Sequence, residues 1–245
     1  MIQLIGFDGD DTLWHSEGYY RSAHAAFEAI VGKYVDLADV RLHDRLLDTE
    51  RANIKLFGYG AKGMTLSMIE AAFALTGGRV SADDLHRIVG LGKEVMSHPV
   101  ALLPGIRDAV AAIAHHYPVV LVTKGDLFHQ EAKIAASGLA DLFRRIEIVS
   151  EKDAASYSRL LAEFGVAPDA FAMVGNSLRS DIEPVVRLGG WGIHVPYPVT
   201  WAHELDNGLQ PEHGHRLIRV DASASIPKAL VALQSRAQSG IRGRD

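Results

Sequence analysis

Three carboxylates, Asp8, Asp10 and Asp11, fall within four residues directly after the apolar run Ile2–Phe7. Crowded together they repel one another, so the chain must bring a cation to them or leave one of them protonated. No histidine or cysteine stands among them, and an all-oxygen donor set suits a hard divalent ion such as Mg²⁺. An acidic turn or helix cap is the competing reading. Turns rarely follow a wholly apolar strand with so many carboxylates, which favours a site.

Other reactive residue types follow other apolar runs. Thr123-Lys124-Gly125 comes after Val119–Val122. A hydroxyl beside a glycine can hold a phosphate through Oγ and backbone N–H groups, although Thr-x-Gly is equally a strand-to-turn signal. Lys124 could add phosphate affinity or lie exposed. Ser150-Glu151-Lys152-Asp153 comes after Ile146–Val149. Lys152 could be a solvated lysine at a helix start or neutralise a phosphoryl oxygen and a nucleophile; a cation there opposes the helix dipole, which favours the second reading. Gly175-Asn176-Ser177-Leu178-Arg179-Ser180-Asp181 comes after Phe171–Val174 and offers an amide oxygen, hydroxyls and a carboxylate entering a helix. Asp181 could be a metal ligand or a plain helix cap.

The elements that must position these groups can be read from the apolar pattern. The runs Ile2–Phe7, Val119–Val122, Ile146–Val149, Phe171–Val174, Gly192–Val195 and Leu217–Val220 do not alternate, as expected of strands buried on both faces. Helical spacing separates most of them: Ile106, Val110 and Ile113; Tyr157, Leu160, Leu161 and Phe164; Ile182, Val185 and Val186. Strand alternating with helix predicts an α/β fold with a doubly wound parallel sheet, whose ligands bind beyond the carboxyl ends of the strands. Residues 16–98 break the alternation. They show helical patterns only, with Ala23, Phe27, Ile30 and Val31 on one face and Met64, Met68, Ala71 and Ala72 on another. An inserted all-helical domain over 16–98 is expected, with a core domain of 1–15 and 99–245. The polar stretch 196–216 carries Trp201, His203, Glu204, His213 and His215. A solvated loop explains it better than a metal site, because no His pair has helical i,i+4 spacing.

Bulk composition narrows the function. Net charge is −5, so no basic excess marks a nucleic-acid or membrane-surface partner. There is no cysteine, which excludes disulfides, thiolate nucleophiles and Cys-ligated zinc and makes the cytoplasm the simplest compartment. The N-terminal segment lacks the features of a signal peptide, and no run reaches the apolar length of a membrane span. A monomer or small homo-oligomer is expected.

With these motifs in order, Asp8-x-Asp10-x-Thr12, Thr123, Lys152 and Gly175-Asn176-Ser177-x-x-x-Asp181, the chain resembles the haloacid dehalogenase (HAD) superfamily of Asp-nucleophile hydrolases. The resemblance covers nearly the whole chain. It implies a Rossmann-like core and, at 16–98, a C1-type helical cap. Its implied roles are Asp8 as nucleophile forming an aspartyl-phosphate, Asp10 as general acid and base, and Thr12 as the residue orienting Asp10. Thr123 and Lys152 would hold phosphoryl oxygens. Mg²⁺ would sit between Asp8, the backbone carbonyl of Asp10, and Asn176 or Asp181. Family dehalogenases lack the second aspartate, because a departing halide needs no proton. The retained Asp10 therefore implies a phosphatase acting on a small phosphorylated metabolite. Two positions depart from the family pattern. Asn176 stands where Gly-Asp is usual, removing one negative charge, and Lys124 stands where Asn is usual. Trp14 could stack on a base or sugar, or wedge the cap against the core. A phosphomutase is an alternative, although Tyr20 lies near the place of its expected cap histidine and His24 comes one turn later. A phosphate-binding protein with weak turnover is another.

Overall fold

The computed structural model describes residues 1–36, 41–198 and 211–242. Trp201, His203 and Glu204 lie outside the described residues, as does the side chain of His213. The chain forms β1 (Leu4–Phe7), α1 (Glu17–Val31), α2 (Leu42–Phe57), α3 (Ala61–Thr76), α4 (Ala82–Ser97), α5 (Ile106–Ala114), β2 (Val119–Lys124), α6 (Leu127–Ser137), β3 (Arg145–Val149), α7 (Ala154–Phe164), β4 (Phe171–Gly175), α8 (Glu183–Arg187), β5 (Trp191–His194), β6 (Leu217–Arg219) and α9 (Ile226–Arg242). No described helix is long and apolar enough to cross a membrane.

It divides into two compact units. The first comprises Met1–Glu17, Val100–Lys124 and Ala132–Asp245; the second comprises Gly18–Pro99 and Gly125–Glu131.

The first unit is built on a six-stranded sheet in the order β3-β2-β1-β4-β5-β6, with every pairing parallel. This is the doubly wound arrangement the apolar runs predict. The strands are covered on both faces, which is why they read as unbroken apolar runs. Ile5, Phe7, Leu121, Val174 and Ile193 pack with Ile106, Val110, Leu230 and Leu233 on one side. Leu4, Val120, Val122, Phe171 and Met173 pack with Tyr157, Leu160 and Leu161 on the other. Gly6 completes that second face by having no side chain, since a Cβ there would come within 2.7 Å of both Met173 Sδ and Phe171 Cζ. The chain order reverses direction beside β1, so the ends of β1 and β4 flank the crevice where such sheets bind ligands.

The second unit holds α1 to α4 around Phe27, Val31, Leu46, Met64, Met68, Ala72 and Ile88. Its helix ends follow local chemistry. Gly77 takes the left-handed conformation (φ 60°) that stops α3, and Ser81 caps α4 by accepting from the Asp84 amide. The Gly58–Gly60 turn joins α2 to α3, and Gly60 lies against the backbone of Asp126. Lys62 pairs with Asp126 at 3.0 Å.

Candidate active site

The site lies in the first unit, where β1 hands over to a tight loop. The Asp8 amide donates to Val174 O at 2.9 Å, continuing the β1–β4 ladder by one residue. The chain then folds on itself. Leu13 N donates to Gly9 O at 2.7 Å and Asp11 N to Trp14 O at 2.7 Å. Asp11 accommodates this reversal with a positive φ of 61°, which Asp tolerates better than most residues.

This loop sends its three carboxylates to three different partners. Asp8 is buried; its Oδ1 accepts from Lys152 Nζ and its Oδ2 from Thr12 Oγ1 at 2.8 Å. Asp10 is held by Lys133 Nζ, at 2.6 Å from Oδ1 and 2.7 Å from Oδ2, and by Trp14 Nε1 at 2.6 Å from Oδ1. Asp11 turns away from both and caps α1. It accepts from the amide of Ser16 at 2.8 Å and from that of Glu17 at 3.0 Å. The three carboxylates, expected to need a cation or to leave one acid protonated, are thus separated: Asp10 has Lys133, Asp8 shares Lys152 with Asp181, and Asp11 has backbone amides.

Thr12 is directed at Asp8 and Asn176. Its hydroxyl donates to Asp8 and accepts from the Asn176 amide at 3.0 Å, with Asn176 Oδ1 a further 3.2 Å partner. Trp14 and Lys133 both hold the Asp10 carboxylate. Trp14 is 1 % exposed, which removes it from stacking on a substrate base or sugar. It belongs to the sheet's core, and its indole N–H serves Asp10.

The fourth motif shows how one helix start can serve two purposes. Ser177 Oγ accepts from the Ser180 amide at 3.0 Å, while Asp181 Oδ2 reaches back to accept from the Ser177 amide at 2.9 Å. This is a capping box with its acid one residue later than usual. The turn Leu178–Ile182 widens to π-helical geometry, with Ile182 N donating to Ser177 O. Asp181 Oδ1 remains directed at Lys152 Nζ, 2.8 Å away. The cap and site readings of Asp181 are therefore compatible, one oxygen to each. Gly175 makes room for this carboxylate, since a Cβ there would lie 2.2 Å from Asp181 Oδ2.

Lys152 follows β3 just before Asp153, the residue that caps α7 through the Ser156 amide. Its unfavourable place near a helix start is compensated by the two carboxylates it touches. Burial works against the ammonium, but Asp181 and Asp8 outweigh it and hold Lys152 well above the usual lysine range. Burial raises the Asp8 carboxyl to about 7, helped by Asp181 and opposed by Lys152 and Thr12. Thr123, buried at the end of β2, lies against the loop: a Cβ on Gly9 would stand 3.1 Å from its Oγ1. Lys124 donates to Ser180 Oγ at 2.9 Å and reaches Glu151 at 3.4 Å, so its side chain is engaged within this unit. Gly125 has φ 139°, a conformation that strains any other residue.

Asp8, Lys152 and Asp181 are therefore in direct contact, and Thr12 joins Asp8 to Asn176. A Mg²⁺ ion fits this donor set chemically. Burial and the neighbouring Asp181 make Asp8 hard to ionise despite Lys152, so further positive charge is favourable there, and the ligating atoms on offer are oxygens. Among the described residues no group of three His, Cys, Asp or Glu could hold a metal by itself.

Lys133 is the residue the sequence reading missed. The available signal was the spacing Gln130, Lys133, Ser137, which repeats like one face of a helix after Thr123-x-Gly125.

The haloacid dehalogenase-like hydrolase family model matches residues 2–189. A haloacid dehalogenase-like family hydrolase from Xanthomonas campestris has 54% identity and a TM-score of 0.88, over 97% of this chain and 98% of its own. A 2-haloacid dehalogenase from Pseudomonas syringae has 18% identity and a TM-score of 0.58, over 95% and 99%. A predicted phosphoglycolate phosphatase from Haemophilus somnus has 19% identity and a TM-score of 0.57, over 94% and 98%. The latter two share the fold alone. No curated protein matches the sequence.

Proposed function

The chain belongs to the haloacid dehalogenase-like hydrolases, and within that family we propose that it is a Mg²⁺-dependent phosphatase of small-molecule phosphate monoesters. The observation that carries this reading is Asp10. It stands two residues beyond the buried Asp8 with its carboxylate anchored by Lys133 and Trp14. An acid–base group has no task in expelling a halide, whereas an alkoxide leaving group needs a proton.

In this mechanism a carboxylate oxygen of Asp8 attacks phosphorus, and the bond to the leaving oxygen breaks. Asp10, which takes up a proton from solvent before the reaction, gives it to that oxygen. Asp10 then takes a proton from the water that attacks the aspartyl-phosphate, which releases phosphate and restores Asp8. Lys152 offsets the charge of Asp8 and of a phosphoryl oxygen, and Thr123 offers its hydroxyl to another. Asp8, Asp181, the Asn176 amide oxygen and the Asp10 carbonyl would hold Mg²⁺, which supplies positive charge to the phosphoryl group. A mutase would require a free cap histidine, and His24 is buried with Glu50 at 2.9 Å in the helical unit.

The test is phosphate release from p-nitrophenyl phosphate and a panel of phosphorylated metabolites, with and without Mg²⁺, beside chloride release from 2-chloropropionate. Mg²⁺-dependent phosphate release is expected. Asp8→Asn should lose on the order of 10⁴-fold or more, the scale of nucleophile deletion in other covalent hydrolases. Chloride release without phosphate release would overturn the reading.

A further inference from the structure

Asp10 is gripped more firmly than charge balance demands. The Asp10 side chain is 28 % exposed, so water could satisfy it, yet a lysine whose own side chain is only 9 % exposed is brought to it from α6. That ammonium contacts both carboxylate oxygens, at 2.6 and 2.7 Å, while the Trp14 indole fixes Oδ1 from within the same loop. The indole cannot follow a moving carboxylate, because Trp14 is sealed in the core of the sheet. Carboxylate torsions are otherwise broad, so Asp10 unaided would sample many orientations. Lys152 does not duplicate this service, since its carboxylate partners are Asp8 and Asp181.

We propose that Lys133 is a positioning residue for proton transfer, fixing the plane of the Asp10 carboxylate against the leaving-group oxygen. The role rests on the phosphatase reading above. Lys133 acts through Asp10 and needs no contact with the phosphoryl group.

Leaving-group chemistry tests it. Nitrophenolate departs from phosphorus with little help from a proton, and phenolate needs more. In Lys133→Met, kcat for phenyl phosphate should fall on the order of 100-fold and for p-nitrophenyl phosphate less than about tenfold, the difference reflecting lost acid catalysis. KM should change little for either. In an Asp10→Asn background, Lys133→Met should have no effect beyond about twofold, because the two residues act as one unit. Lys133→Arg, which keeps the charge and whose melting temperature is measured beside that of the Met variant to separate folding from catalysis, should lose selectively against phenyl phosphate to a smaller extent.

Equal losses on the two esters, an undiminished effect in the Asp10→Asn background, or unchanged kinetics would each overturn the role of Lys133 while leaving the phosphatase reading intact. A wild-type protein that releases phosphate from neither ester would remove the phosphatase reading, and this role with it.

Discussion

Lys152 donates to Asp181 at 2.8 Å while the same ammonium holds Asp8, and all three side chains are nearly sealed from water. Two acids therefore share one base. Each favours the charged form of the lysine, which is why Lys152 titrates high against its burial, and burial together with Asp181 raises Asp8 to about 7.

Removing Lys152 should leave two buried carboxylates, Asp8 and Asp181, without the cation they share. Lys152→Met is expected to cost about 3–5 kcal/mol in urea unfolding without metal, as for other broken buried ion pairs. Adding Asp181→Asn should recover part of this loss. A single variant as stable as the wild type would contradict the arrangement.

Asp11 should make stability pH-dependent. Burial, with help from Asp10, raises its carboxyl from 3.8 to about 7 against the pull of the Ser16 and Glu17 amides. The folded state then binds a proton more tightly than the unfolded chain, so this group loses stability as pH rises from about 4 to about 7. Asp11→Asn keeps an oxygen for the cap and tolerates the positive φ. Its stability relative to wild type should rise across that window and level off above it, as read from unfolding curves at several pH values.

Gly175→Ala should damage metal binding more than its small size suggests. The added methyl would sit 2.2 Å from Asp181 Oδ2, so that carboxylate must leave its place. Calorimetric titration should show Mg²⁺ affinity falling by at least about tenfold, the scale seen when groups supporting a ligand are lost. Unchanged affinity would mean that Asp181 does not support the ion.

Asn176→Asp should act in the opposite direction. A carboxylate there still accepts from Thr12 and adds the missing charge, so Mg²⁺ affinity is expected to rise, on the order of tenfold. An unchanged affinity in the same titration would show that this side chain stands apart from the metal.

The strands were legible because burial on both faces leaves continuous apolar runs, and the four motifs because reactive residues followed those runs. The helical character of 16–98 was equally plain from Phe27 and Met68, whereas nothing in the pattern marked Gly125–Glu131 as part of the second unit. The partner of Asp10 was hidden for a physical reason. The helix α6 is inverted: Leu127 and Phe128 are exposed while Gln130, Lys133 and Ser137 are buried, so a search for apolar periodicity passes over it. Trp14 and Thr12 were read by residue type, yet their roles depend on how the loop reverses at Asp11, a conformation that the sequence does not announce.

That reversal has an evolutionary corollary. Since the loop's acids are tethered to separate parts of the chain, position 10 can be exchanged without dismantling the cradle around position 8. The cost of such an exchange would fall on Lys133 and on the indole of Trp14, which lose their carboxylate, while Lys152 and Thr12 keep theirs.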